Sequence, residues 1–253
     1  MSKIALITGA TSGIGKATAV LLAQQNYNLI LIGRRTEKLE QLSQELRSTC
    51  NINTQTIALD VRDNADVRQK LEALPENWKA VDVLINNAGL SQGLAPIDQG
   101  DTTDWDVMID TNVKGFLYVT KVVSQWMVSR RQGHIVNLGS IAGKETYLNG
   151  NVYCATKYAV DSLSQAMRID LLPHRIKVTA INPGAVETEF SEVRFKGDSE
   201  RAKMVYEGYQ PLTPQDIAEA IWYAVSRPLN VNINDMVITP IAQANTSHLL
   251  RKL

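Results

Sequence analysis

Ile4-Ala5-Leu6-Ile7-Thr8-Gly9-Ala10-Thr11-Ser12-Gly13-Ile14-Gly15 is the stretch on which the fold turns. The apolar run Ile4–Thr8 reads as a buried strand, and a helical pattern follows from Gly13 to Gln24. Between them Gly9, Gly13 and Gly15 allow a tight turn and bring main-chain N–H groups to one place. The start of the helix adds its partial positive charge, so the turn suits a pyrophosphate. Thr11, Ser12 and Ile14 fall in the same loop and are candidates for the same contact. The spacing is G-x-x-x-G-x-G rather than G-x-G-x-x-G, and a plain glycine turn has the same look. Its position directly after an N-terminal buried strand favours the phosphate reading.

Outward from this stretch, short apolar runs alternate with longer amphipathic ones. Strands are expected at Leu29–Ile32, Thr56–Leu59, Val81–Ile85, His134–Leu138, Lys177–Ile181 and Met236–Ile238, and helices at Thr36–Arg47 and Asn64–Leu74 among others. Near-continuous apolar strands imply burial on both faces, hence an α/β chain with a parallel sheet covered by helices on each side. No Pro/Ser-rich linker or repeat interrupts the pattern, so a single domain spanning 1–253 is expected. In such sheets ligands bind beyond the carboxyl ends of the strands.

Composition excludes several partners. Lys+Arg and Asp+Glu both number 26, so the net charge is zero and nothing points to nucleic acid. No apolar window is long enough for a membrane span, and the first apolar run is too short for a signal peptide. The two cysteines, Cys50 and Cys154, have no metal-like spacing, which makes a reducing cytoplasm the default and gives no metal site. A neutral surface is compatible with self-assembly.

The remaining motifs also follow strands. The second strand ends in Gly33-Arg34-Arg35, where a protein selecting an unphosphorylated ribose would place an acid. Two guanidiniums there suit a 2′-phosphate, which favours NADP over NAD; a solvent-exposed turn is the plainer alternative. Asp60-Val61 closes the third strand and is placed to meet an adenine. Asn86-Asn87-Ala88-Gly89 closes the fourth, where small residues let a cofactor pass. Ser140 follows the fifth strand, and Asn112 lies mid-helix, where asparagine is a poor helix former, so a functional role or a local kink is expected there; an ordinary structural hydrogen bond is the plainer alternative for either residue. Tyr153 and Lys157 stand four apart on one helical face. A cation beside a phenol, whose ordinary pKa is near ~10, favours the phenolate and suits proton transfer to an alcohol or carbonyl.

In order along the chain, Thr8-Gly9-x-x-x-Gly13-x-Gly15, Asn86-Asn87-Ala88-Gly89, Asn112, Ser140, Tyr153-x-x-x-Lys157 and Pro183-Gly184-x-Val186-x-Thr188 resemble the short-chain dehydrogenase/reductase family. The resemblance implies a single-domain Rossmann fold, a doubly wound parallel sheet of seven strands. It implies a catalytic set of Asn112, Ser140, Tyr153 and Lys157. Tyr153 would exchange the proton, Ser140 polarise the carbonyl, Lys157 lower the tyrosine pKa and hold the nicotinamide ribose, and Asn112 hold a relay water. Pro183, Gly184, Val186 and Thr188 would border the nicotinamide. Residues to about 140 would form the dinucleotide-binding part, and about 187–210 a substrate loop.

Met108–Asn112, Glu189–Asp198 and Asn230–Ile233 are similar to the NADP-dependent 3-hydroxy acid dehydrogenases within that family. This implies a serine-like or allo-threonine-like small substrate and a homotetramer packed through the helices near 104–131 and 151–172. A carboxylate substrate needs a cation. The loop offers Arg194 as first candidate and Lys196 as second, although Glu192, Asp198 and Glu200 also make it an ordinary solvated segment. A general carbonyl or diketone reductase is the competing enzyme reading. A dinucleotide-sensing protein with an idle tetrad is the competing non-enzyme reading.

Overall fold

The computed structural model describes residues 2–251. Strand β1 (Ile4–Thr8) is followed by helix α1 (Gly13–Gln24), β2 (Asn28–Gly33), α2 (Thr36–Cys50), β3 (Thr54–Ala58), α3 (Asn64–Glu72) and β4 (Val83–Asn86). The second half adds α4 (Thr102–Ile109), α5 (Phe116–Arg130), β5 (Gly133–Leu138), α6 (Asn151–Leu171) and β6 (Ile176–Pro183). It ends with α7 (Phe190–Arg194), α8 (Ser199–Met204), α9 (Pro214–Val225) and β7 (Asp235–Ile238). The seven strands form one parallel sheet in the order β3-β2-β1-β4-β5-β6-β7.

Alternation along the strands divides the core. Ile4 and Leu6 of β1 point to one face, where they join Phe116, Val119 and Val123 of α5 and Val160 of α6. Ala5 and Ile7 point to the other, with Leu22 of α1, Leu39 and Leu42 of α2, and Ile217 and Ile221 of α9. Burial on both faces is what makes the central strands read as continuous apolar runs. The expectation fails at β7. Its residues alternate exposed and half-buried, with Val237 54% exposed, because it is an edge strand paired only to β6.

The chain leaves β1 for β2 and β3 on one side and returns to β4 on the other. The crevice between β1 and β4 is therefore a switch point, the place where open α/β sheets bind ligands. Among the described residues no helix is long and apolar enough to cross a membrane, and no cluster of metal-binding side chains occurs. Cys154 is fully buried and Cys50 half-buried; both are free thiols.

Candidate active site

The loops after six strands converge on one cavity of about 560 Å³, within the usual range for small-molecule sites. Gly9, Thr11, Ser12, Gly13 and Ile14 line it from β1, Arg34 and Arg35 from β2, Asp60 and Val61 from β3, and Asn87, Ala88 and Gly89 from β4. Ser140 comes from β5, Tyr153 and Lys157 from α6, and Pro183, Gly184, Val186 and Thr188 from β6. Arg194 of α7 closes the catalytic end. Gly15 and Asn112 lie just behind these walls.

The glycine turn is shaped by what it excludes. Gly9 and Gly13 have φ of 67° and 50°, in the region that side chains disfavour. A Cβ on Gly9 would stand 2.8 Å from Asn87 Nδ2, and one on Gly13 3.1 Å from Thr188 Cγ2. A Cβ on Gly15 would collide with the Gly9 carbonyl. Asn87 fastens the turn from β4 by donating to the carbonyls of Thr8 and Gly9 at 3.0 and 3.2 Å. Thr8 Oγ1 accepts from the amides of Asn87 and Ala88 at 3.0 and 2.9 Å. The result is a bare main-chain cradle at the start of α1, which fits the pyrophosphate of a dinucleotide.

At the adenosine end, Arg34 is exposed and Arg35 half-buried. Arg35 donates to Thr11 and to Glu189. Asp60 is held by Arg62, at 2.6 Å from Nη2 to Oδ2. That bond holds its carboxyl below the usual range, against a smaller opposing effect of burial.

At the catalytic end, Asn112 lies in a π-turn, Asp110–Gly115, that joins α4 to α5. Such turns mark helices that make room for a functional group. The Asn112 side chain is spent on neighbours. Its Oδ1 accepts from Leu90 N at 2.8 Å, and Nδ2 donates to Leu90 O at 2.7 Å and to Thr156 Oγ1 at 3.0 Å. Ser140 begins a short turn, its hydroxyl accepting from Ala142 N at 3.1 Å, while Asn182 Oδ1 holds its amide at 3.1 Å.

Tyr153 and Lys157 are both buried. Lys157 Nζ donates to Leu138 O at 2.8 Å and stands 5.9 Å from the Tyr153 ring centre. Burial brings its pKa down to about 8. The Tyr153 phenol differs from expectation, because burial raises its pKa. The charge of Arg194 opposes that rise, followed by the Ser140 hydroxyl. The cation acting most on the phenol in this state is therefore Arg194.

Arg194 sits in an aromatic enclosure that sequence reading missed. Its Cζ lies 5.1 Å from the Phe190 ring centre, 5.4 Å from Tyr153 and 5.9 Å from Tyr147. Its Nη2 donates to Tyr147 Oη at 3.1 Å, and its Nε is buried without a partner among the described residues. Lys196, the second candidate, turns away from the cavity. It is exposed and pairs with Asp104 at 2.8 Å and Asp101 at 3.5 Å. The segment read as a loop carries two short helices, α7 and α8. Arg251 ties it to the C-terminal end of the described chain by donating to the carbonyls of Met204, Val205 and Glu207.

A family model described as short chain dehydrogenase matches residues 3–199. The NADP-dependent 3-hydroxy acid dehydrogenase YdfG of Salmonella typhi is 46% identical over 242 residues, covering 95% of this chain and 96% of that protein. The NADP-dependent 3-hydroxy acid dehydrogenase of Schizosaccharomyces pombe is 43% identical over 251 residues, covering 99% and 97%. The closed form of serine dehydrogenase complexed with NADP+ superimposes with a TM-score of 0.92 at 42% identity, covering 99% of this chain and 100% of that one. With the site and these likenesses in agreement over nearly its whole length, the chain belongs to the short-chain dehydrogenase family.

Proposed function

We propose that this oxidoreductase interconverts a short 3-hydroxy acid of the serine, allo-threonine or 3-hydroxybutyrate type and its 3-oxo acid. It acts on a CH–OH group and uses NADP, the cofactor named for its relatives. The observation that carries the substrate class is Arg194, which lines the cavity with its Nε buried and without a partner among the described residues. A carboxylate supplies the missing acceptor, and in a buried place such a charge-assisted contact is strong.

The substrate oxygen lies between the Ser140 and Tyr153 hydroxyls. When bound, the nicotinamide supplies or accepts the hydride. Tyr153, its pKa raised by burial, stands protonated and ready to give its proton to the alkoxide of a reduced carbonyl. In oxidation it takes that proton back, helped by the cations Lys157 and Arg194. Ser140 polarises the carbonyl through its hydroxyl. Lys157 also meets the nicotinamide ribose, and the relay water is left to the Asn112 main chain because its amide is committed. The glycine cradle, Asn87–Gly89 and Asp60-Val61 hold the dinucleotide to about residue 140. Arg34 and Arg35 hold its 2′-phosphate, and Pro183–Thr188 border the nicotinamide. The segment 187–210 covers the substrate. The protein assembles as a homotetramer, a reading supported by the exposed Tyr158, Ile169 and Leu172 at α6 and its end.

A panel of short 3-hydroxy acids and matched neutral ketones, followed by NADPH absorbance, tests this reading. Arg194→Ala is expected to raise KM for the acids about 10- to 100-fold, the equivalent of one hydrogen bond to a charged group, and to leave KM for the ketones nearly unchanged, while any change in kcat through the Tyr153 phenol is shared by both classes. Equal rises in KM on both classes would remove Arg194 from substrate binding. Brisk turnover of neutral ketones alone would favour the general carbonyl reductase. Cofactor binding without turnover of either would favour the sensor.

A further inference from the structure

Arg35 is already engaged. Its Nη1 donates to Glu189 Oε2 at 2.8 Å, while Nε and Nη2 both donate to Thr11 Oγ1 at 3.2 and 3.0 Å. Lys38 Nζ reaches the other oxygen of the same carboxylate at 3.3 Å. Two cations from the start of α2 thus converge on one acid that arrives from the opposite side of the cavity. Glu189 directly follows Thr188, which abuts Gly13, and it directly precedes α7. Burial raises its carboxyl, but Arg35 and then Lys38 outweigh this and hold it below the usual range, so it is ionised. An arginine fork receives a carboxylate and a phosphate through the same geometry. Three of the five N–H groups of Arg35 are in use, and Glu189 holds Nη1, so an anion that takes that nitrogen in a two-pronged grip competes with Glu189.

We propose that Glu189 is an internal competitor for the 2′-phosphate at Arg35. A ligand bearing that phosphate displaces Glu189, near the start of the substrate-covering segment, and an unphosphorylated one leaves it in place. This rests on the assignment of Arg35 to the 2′-phosphate. Coupling between sites is reciprocal. The phosphate therefore loosens the segment's anchor on the cofactor side, and the anchor weakens phosphate binding. Lys196–Asp104 remains as the anchor on the substrate side. Discrimination between the two dinucleotides and the position of the covering segment are tied through one carboxylate. The pair is 40% and 43% exposed, so the effect is modest, about two- to fivefold in affinity.

The test titrates cofactor-free, full-length protein by calorimetry with adenosine 2′,5′-bisphosphate and with adenosine 5′-monophosphate. Glu189→Gln is expected to tighten the bisphosphate about two- to fivefold, to leave the monophosphate unchanged, and to lose most of this gain in an Arg35→Ala background. Unchanged or weaker bisphosphate binding by Glu189→Gln, with Arg35→Ala still impaired, overturns the inference and leaves the Arg35 assignment standing. A full gain that persists without Arg35 also overturns it, since Glu189 then acts as a bare charge. An Arg35→Ala protein that keeps its preference for the bisphosphate overturns the assignment and the inference together.

Discussion

Lys157 is a lysine buried against one carbonyl, with no carboxylate bonded to it among the described residues. Burial lowers its pKa from 10.5 to about 8. A folded value below the unfolded one means that the native state resists the proton. The associated stability is present above pH ~10.5, is lost as pH falls through ~8, and is absent at pH 7. At about 1.4 kcal/mol per pKa unit, the charged lysine costs the fold about 3 kcal/mol at neutral pH. Lys157→Met is therefore expected to raise the urea-unfolding free energy of the cofactor-free protein by about 1–3 kcal/mol, less the loss at the Leu138 carbonyl, while turnover disappears. A variant less stable than its parent would show that the ammonium's contacts outweigh its desolvation. That Ser140, Tyr153 and Lys157 line one cavity was legible in the sequence, because the first follows a strand and the other two share one helical face. The partners of Arg35 and Arg194 were not. Glu189 and Tyr147 meet them across long stretches of chain, with no period to announce the contact.

At the scale of elements, the π-turn, the loop after β4 and helix α6 meet at one joint. Asn112 Nδ2 donates to Thr156 Oγ1, and that hydroxyl donates to the carbonyl of Tyr153 at 2.7 Å. Thr156 carries no motif signature, yet it ties the helix bearing Tyr153 to the turn bearing Asn112. Thr156→Val keeps the shape and leaves one buried N–H without an acceptor, which costs about 1–3 kcal/mol. Urea midpoints at constant m-value are the measurement. A loss under about 0.5 kcal/mol would mean that the amide finds another partner. The poor helix propensity of Asn112 announced this irregularity. Helices α7 and α8 are five and six residues long, too short for a 3.6-residue period to show, so the covering segment read as a loop. Strand β7 has an apolar pattern that marked it as a strand but not its position at the sheet edge, which depends on where the chain travels afterwards.

Across the whole molecule, acid stability depends on a residue far from the chemistry. His134 of β5 is buried, with Nε2 2.7 Å from Thr179 Oγ1 and Nδ1 without a partner among the described residues. Burial, then the charge of Lys177, lowers its pKa to about 3. The folded protein keeps it neutral while the unfolded chain takes a proton below pH ~6.5, so its contribution is present above ~6.5 and lost as pH falls towards 3. Between pH 7.5 and 5 this one side chain is expected to cost about 2 kcal/mol. Urea unfolding at several pH values, for the parent and for His134→Gln, isolates it; parallel curves would remove the assignment. The strand order has a different consequence, for how the chain comes to be made. Of the seven strands β1 comes earliest in the chain and lies near the middle of the sheet, and its second neighbour begins only at Val83. Until that residue emerges, the apolar edge Ala5–Ile7 has no partner on one side. Pairings so distant in sequence form slowly, and an exposed apolar edge is the kind that sticks to other chains. The birth of this protein therefore has a vulnerable interval, and a chain released before Val83 never leaves it.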